Sequence, residues 1–245
     1  MKLGVIQSNY IPWRGYFDFI GSVDSFIIYD DVQFSKGSWR NRNKLKCGGD
    51  TKWITLPVKV RLGMKINEVE INNTKDWKRE HRELIQKSLV KKPFFKQALE
   101  VWETGIDVRT ESLSELNEHL IRTICRFLGI NTTIERSESY LLTGTKTDRL
   151  MDLFNKTGCT SYLSGPAAES YLELDKFKAN NIELRYKSYD YETYNQNDNT
   201  PFEGEVTILD LIANTGIDAA KYCVSKTADK IIVTRTEHES APGNR

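Results

Sequence analysis

Histidine and cysteine, from which many catalytic and metal sites are built, are scarce in this sequence of 245 residues. It contains three histidines and four scattered cysteines, and no two cysteines stand in C-x-x-C spacing. The sequence therefore gives no indication of a zinc site or of a disulfide framework, and reduced thiols in a cytoplasm are the simplest interpretation. The histidines form no Ser–His–Asp or Cys–His pattern from which nucleophilic catalysis can be argued.

Long apolar runs and an excess of charge of either sign are also missing. Apolar runs such as residues 25–29 are far too short to span a bilayer, so no membrane insertion is predicted. The 35 Lys and Arg residues balance 34 Asp and Glu residues, which gives no global reason to expect nucleic acid as a partner. The first residues carry neither a long hydrophobic region nor a cleavage motif, so a cytoplasmic location is predicted.

Short apolar segments alternate with helical patterns at both ends of the chain. Such alternation is typical of βαβ units, whose strands are parallel and whose crossovers are right-handed. It predicts an open, mostly parallel sheet with helices on both faces, in a single domain over residues 1–225. The predicted strands are 3–7, 25–29, 133–135, 160–163 and 182–186, and the predicted helices between them are 13–21, 148–157 and 167–179.

A helical insertion is predicted in the middle of the chain, at about residues 75–129. Its strongest signal is a set of apolar residues that recur three or four positions apart between 113 and 127, which is one face of a helix. Residues 30–50 are polar, basic and rich in Gly and Asn, and they are predicted to form a long functional loop. Residues 226–245 are predicted to be a tail, disordered from residue 237.

The carboxyl ends of the predicted strands locate a candidate site. In open α/β sheets, ligands bind beyond these ends. The strands lead into residues 7–13, 30–33 and 164–166, which are rich in polar and aromatic side chains. We expect one crevice in which ligand-binding residues come from these segments and the helix that follows the first: Gln7, Asn9, Tyr10, Trp13, Tyr16, Gln33, Ser164 and Gly165.

The turn after the first strand resembles the corresponding turn of nucleotidylyltransferases, in which two histidines contact nucleotide phosphates. Trp13 and Tyr16 stand where those histidines would be. The resemblance is therefore one of architecture, in a nucleotidylyltransferase-like α/β fold, and the histidine chemistry is not carried over. A well-packed aromatic turn is the alternative interpretation.

Catalytic roles are predicted for Asp30, Asp31 and His81. The two carboxylates end a buried strand, where such a pair can hold a divalent metal with a nucleotide diphosphate or simply cap the next turn. His81 lies on a predicted helix, where a lone histidine is more often packed or solvated than catalytic. No metal ligands are assigned, and the cofactor is unknown, with a nucleotide or a divalent metal as the candidates.

Basic residues are concentrated in one short stretch of an otherwise neutral chain. Lys36, Arg40, Arg42, Lys44 and Lys46 fall within eleven positions, with the polar residue Asn43 among them. We predict that Arg40 and Arg42 bind the phosphates of an anionic ligand, with help from Asn43, in a loop that is mobile without it. A solvated basic loop is the alternative.

A second candidate for anion binding is Lys146, within residues 144–147, a Gly-Thr-Lys-Thr sequence that precedes a predicted helix. It resembles the end of a P-loop but lacks the earlier glycine of that motif, so a Walker A site is rejected. A modest anion site at the helix start and an ordinary N-cap are the two interpretations that remain.

Several segments together resemble the WbqC-like family of bacterial O-antigen and related surface-polysaccharide gene clusters, and the likeness covers roughly residues 1–225. They are 7–17, 29–34, 39–43, 53–58, Trp77 with His81, 92–94, 146–150, 161–166, 194–196 and Phe202 with 207–211.

The resemblance implies a place in O-antigen, lipopolysaccharide or related glycan biosynthesis, without a settled reaction. The sequence-level hypothesis is a transferase acting on a nucleotide-linked, amino-type sugar, by acyl or aminoacyl, nucleotidyl or glycosyl transfer. The alternative is a non-catalytic sugar-nucleotide-binding or scaffold protein, with other glycan-biosynthesis enzymes as partners.

Overall fold

A computed structural model describes residues 1–236, and the part of the predicted disordered tail beyond them lies outside the described residues. The strands are β1 Lys2–Ile6, β2 Ser25–Ile28, β3 Arg42–Cys47, β4 Asp50–Thr55, β5 Val58–Lys59, β6 Glu70–Ile71, β7 Thr133–Arg136, β8 Ser161–Ser164, β9 Glu183–Tyr186 and β10 Lys230–Val233. The α-helices are α1 Arg14–Gly21, α2 Trp77–Leu89, α3 Phe95–Ile106, α4 Leu113–Leu128, α5 Lys146–Thr157, α6 Leu174–Ala179 and α7 Ile208–Thr215.

The centre of the fold is a sheet of six strands in the order β10-β9-β8-β1-β2-β7. Every neighbouring pair is parallel except β9 with β10. The predicted mixed α/β fold with a mostly parallel sheet is therefore confirmed. In the part of the chain that the structure describes, no helix is both long and apolar enough to cross a membrane.

The first βαβ unit shows how the apolar pattern becomes packing. All four residues of β2 are buried, as expected for a strand covered on both faces. Nearly all of α1 is buried against the sheet, and Phe19 packs over Gly4 of β1. A side chain at position 4 would place its Cβ 2.5 Å from the ring of Phe19. Glycine at this position therefore lets the helix lie close to the central strand.

The insertion is built by α2, α3 and α4, which lie between β6 and β7. The apolar face of α4 is buried along its length, as its spacing predicted. Ser112 caps its first turn by accepting a hydrogen bond from the Glu115 amide at 3.3 Å. Gly129, with φ of 71°, ends it in the left-handed region that glycine adopts without strain.

Three segments differ from the sequence prediction. The predicted loop at 30–50 contains β3, which pairs with β4 in an antiparallel hairpin. Its tight turn at Gly48 and Gly49 was a hairpin signal, but β3 lacks the apolar alternation that marks a strand. The predicted helix at 167–179 is divided into a 3₁₀ segment, Pro166–Ser170, and α6. Residues 230–233, inside the predicted tail, form the edge strand β10.

The strand order reverses beside β1. From β1 the chain continues to β2 and then β7 on one side, and later returns to place β8 and β9 on the other side. The connections therefore leave β1 and β8 in opposite directions, and a crevice opens at their carboxyl ends. In doubly wound sheets this switch point is the usual place for a ligand.

Replacement of Gly4 by Ala should destabilise the protein, because the added methyl group overlaps the buried ring of Phe19. Overpacking of this kind costs about 1–3 kcal/mol. The measurement is urea unfolding of the wild type and the variant. Gly21→Ala is the matched control, since its Cβ would meet nothing closer than 3.8 Å. Equal loss of stability in both variants would contradict this account of the α1 packing.

Candidate functional site

The crevice at the switch point has a volume of about 1190 Å³. Gln7 from the end of β1 and Ser164 from the end of β8 line it, together with the start of α5 and the segment after β8. Aromatic rings supply much of the rest of its surface: Tyr29, Tyr162 and Tyr171. A large concave space with few polar groups among aromatic walls is typical of a small-molecule site.

The start of α5 gives the crevice its positive side. Thr145 occupies the N-cap position without forming a side-chain cap, which leaves the first amides of the helix open to a ligand. Lys146 lines the crevice and makes no ion pair within residues 1–236, whereas Arg149, one turn later, is paired with Asp31. A helix start beside an unpaired ammonium group favours a phosphate or another anion.

Asp30 is completely buried and holds the turn after β1. Its carboxylate accepts hydrogen bonds from the Ser8 amide at 2.8 Å and from the Ser114 hydroxyl at 2.5 Å. Burial raises the pKa of Asp30, while the hydrogen bonds from Ser114 and Ser8 act in the opposite direction. The group therefore links β1, β2 and α4, and it does not line the crevice.

Asp31 points elsewhere, although it is the next residue along the chain. Its carboxylate accepts a hydrogen bond from the Ser137 hydroxyl at 2.6 Å and forms the ion pair with Arg149. The guanidinium of Arg149 also lies over the ring of Tyr29, 5.6 Å from its centroid. Within residues 1–236 no group of three or more His, Cys, Asp or Glu side chains is placed to hold a metal ion.

His81 belongs to a buried hydrogen-bond network in the core. The Tyr10 hydroxyl lies 2.8 Å from its Nδ1, and the Thr55 carbonyl oxygen lies 3.1 Å from its Nε2. Trp102 donates to the Tyr10 hydroxyl at 3.4 Å. A neutral imidazole satisfies both contacts when Nε2 carries the proton, and burial lowers the pKa of His81 to about 4.

Arg40 is used inside the protein. Its guanidinium donates to the carbonyl oxygens of Gln7 and Ser8, and to the side chain of Asn9. Lys46 is likewise buried, and its ammonium donates to Gln196 at 2.6 Å. These two of the five clustered basic residues hold the fold together.

The predicted site residues thus separate into five groups. Those that line the crevice are Gln7, Gln33, Lys146, Ser164 and Gly165. A cavity of about 270 Å³ is lined by Asn9, Trp13 and Asn43, and Arg42 lines a cavity of about 810 Å³ beside the β3–β4 hairpin. The core contains Tyr10, Tyr16, Asp30 and His81. Asp31 and Arg40 form the internal contacts described above. Of the six residues expected to converge, Gln7 and Ser164 line the same space, whereas Asn9, Tyr10, Asp30 and Asp31 do not line it.

The structure also places in the crevice residues that were not assigned to the site. Tyr162 lies two positions before Ser164 in β8, and alternation along a strand puts both on one face. Arg149 follows Lys146 by one helical turn and so shares its face of α5. Both relations could have been inferred from the spacing alone.

The fold and crevice together define an α/β protein with a large crevice at a switch point of a mostly parallel sheet. Comparison with known families places the chain more narrowly. It matches the WbqC-like protein family over residues 7–222 and belongs to that family.

One curated relative is similar over almost its whole length. It is the uncharacterized protein Rv1507c of Mycobacterium tuberculosis, which is 41% identical over 226 residues, covering 90% of this chain and 96% of the relative. No solved structure matches the chain significantly.

The His81 network predicts a pH dependence of stability. In the unfolded chain the imidazole pKa is about 6.5, whereas in the folded protein it is about 4. The contribution of the neutral His81 to the free energy of unfolding is complete above pH 6.5. It is lost as the pH falls towards 4, because only the unfolded chain takes up the proton in that range. The loss should approach about 3 kcal/mol, at about 1.36 kcal/mol per pH unit.

Urea unfolding at pH 7 and pH 5 of the wild type and of His81→Gln is the measurement. We expect the variant to lose less stability between these two values, because the other titrating groups are common to both proteins. An identical pH dependence would mean that folding does not lower the pKa of His81.

Proposed function

We propose that this protein is a transferase that binds a nucleotide-linked sugar in the crevice between β1 and β8. The observation that carries the proposal is the position of a cavity of about 1190 Å³ where the strand order reverses. Pockets for small ligands typically measure about 300–1,000 Å³, so the crevice has room for a nucleotide diphosphate and a sugar ring.

The chemistry of the lining suits the parts of such a ligand. Lys146 and the open amides of α5 line the crevice and would bind the phosphates. Gln7 and Ser164 offer hydrogen bonds to hydroxyl or amide groups of a sugar. Tyr29 and Tyr171 offer faces against which a base or a sugar can pack.

Asp31 does not itself line the crevice, but its ion-pair partner Arg149 does. A ligand phosphate that attracts Arg149 would compete for that guanidinium. The Asp31 carboxylate would then be released to accept a proton from an attacking group, which is the role we propose for it. The transferred group remains one of three, namely an acyl or aminoacyl, a nucleotidyl or a glycosyl group.

The family suggests the setting of this activity. A resemblance to proteins of O-antigen and related gene clusters favours a role in the synthesis of lipopolysaccharide or another surface glycan. An amino sugar is the substrate that we favour among nucleotide-linked sugars, because its nitrogen can accept an acyl or aminoacyl group.

A sugar-nucleotide-binding protein without catalysis is the second candidate. Its support is the engagement of Asp30 and His81, both assigned catalytic roles from the sequence, in hydrogen bonds within the core. Such a protein would hold its ligand for other glycan-biosynthesis enzymes.

Lys146→Ala should weaken the binding of a nucleotide sugar about tenfold, since it removes one charge-assisted contact to phosphate. A thermal-shift panel of nucleotide sugars, ATP and divalent metals selects the ligand, and calorimetry measures its affinity. The matched control is Lys178→Ala, which removes an exposed ammonium on α6 that is paired with Asp175.

Conversion of the selected nucleotide sugar, followed by mass spectrometry in the presence of candidate donors or acceptors, then separates the two candidates. Turnover that Asp31→Asn abolishes without loss of binding supports a transferase. Tight binding without turnover supports the second candidate. If no nucleotide sugar binds, or if both lysine variants bind equally well, the proposed site is wrong.

A further inference from the structure

A second large space, which we call the basic cavity, lies beside the β3–β4 hairpin and has a volume of about 810 Å³. It is lined by residues 33–37, 41–42, 55–58 and 60–63. The cationic side chains Lys36, Arg42 and Arg61 line it, and no carboxylate does. Its three positive charges therefore have no counter-charge among the residues that enclose them.

Arg42 has the geometry of an anion receptor. It leads β3 opposite Thr55, and Trp53 lies on the same face of the hairpin two positions further. The guanidinium carbon is 4.1 Å from the centroid of a Trp53 ring, so one face of the group is stacked. Its Nε is buried without a hydrogen-bond partner, and Arg42 forms no ion pair within residues 1–236. Stacking holds the planar fork of the guanidinium N–H groups in one orientation and leaves these donors available to a ligand.

Asn41 supplies a second unsatisfied group in the same cavity. The residue is only 8% exposed, and its amide nitrogen donates to the Leu56 carbonyl oxygen at 2.9 Å. Its side-chain oxygen is buried and has no hydrogen-bond partner among the described residues. Buried polar atoms are almost always paired, so a donor and an acceptor left open in two residues that line one cavity indicate a polar ligand with both an anionic and a donor group.

One part of the lining is apolar, with Val58, Val60 and Leu62 along β5 and the loop that follows it. We propose that the basic cavity binds a small organic oxyanion that carries a hydroxyl or amino group and a short apolar part. The oxyanion lies against the Arg42 fork, and its donor faces the Asn41 side-chain oxygen. A carboxylate and a phosphate monoester share this chemistry, and the fork fits both.

The basic cavity is a different site from the crevice between β1 and β8. Gln33 lines both spaces, which makes them neighbours, but Lys146 and Arg149 belong only to the crevice. The assignment does not depend on what the crevice binds. It stands if no nucleotide sugar binds to the protein, and it can fail while the proposed transferase function holds.

The test follows the Nε–H signal of Arg42 and the indole N–H signal of Trp53 in nuclear magnetic resonance spectra. Glycolate and glycerol 3-phosphate are titrated separately, with sodium chloride holding the ionic strength constant. We expect both signals to move and to saturate with at least one of the two probes. The tighter probe identifies the anion as a carboxylate or a phosphate.

Arg42→Lys should weaken binding about tenfold or more, because an ammonium group has neither the planar fork nor the stacked face. Arg79→Lys is the matched control, since Arg79 is exposed on α2 and paired with Asp76 and Glu83 at 3.2 and 2.9 Å. Lys146→Ala should also leave the affinity unchanged, which distinguishes this site from the crevice.

Two results would overturn the proposal. The first is a wild-type spectrum whose Arg42 and Trp53 signals show no saturating change with either probe. This result can be observed without any variant. The second is equal affinity in the wild type and in Arg42→Lys. If Arg42→Lys does not fold, Lys36→Gln serves in its place, with a smaller expected loss of about threefold for a flexible ammonium at the rim.

Discussion

The buried carboxylate of Asp30 is the constraint on which the arrangement of the two cavities depends. It joins the end of β2 to the Ser8 amide after β1 and to the Ser114 hydroxyl at the start of α4. The core of the sheet and the helical insertion are thereby fixed to one another at the strand ends. A buried carboxyl group of this kind is tolerated only when hydrogen bonds compensate for the loss of water, and removal of a partner leaves that penalty uncompensated.

The clustered basic residues illustrate how the same charge can serve different purposes. Arg40 satisfies the carbonyl oxygens of the turn after β1, while Arg42, two residues later, is stacked on Trp53 and forms no ion pair with any residue from 1 to 236. Lys46 is buried against the segment around Asp198. Burial alone would raise the pKa of Asp198, but hydrogen bonds from Lys92, Thr200 and Lys46 hold it well below its usual range. Part of the local positive charge is therefore structural, and only the remainder is available to ligands.

The mostly parallel sheet could be predicted because its strands are short, continuous apolar runs that must be buried on both faces. The rule for strand ends correctly brought Gln7 and Ser164 together, since it depends only on topology. It did not hold for Tyr10, because the direction of a side chain in a turn depends on partners far along the chain, here His81. The strand β10 was missed because its short apolar run, residues 231–233, lies at an edge and is followed by polar residues.

The central position of β1 has a consequence for the order in which the protein can assemble. Its neighbour β8 comes so late in the sequence that Met1 and Thr160, which are hydrogen-bonded, are 159 positions apart. During synthesis, the edge of β1 that pairs with β8 stays unpaired until most of the chain has left the ribosome. Pairings between such distant segments are also slow to form. An unpaired strand edge can pair with other chains. Fragments that end before residue 161 should therefore aggregate, and a chaperone that covers the N-terminal strand should raise the yield of the whole chain.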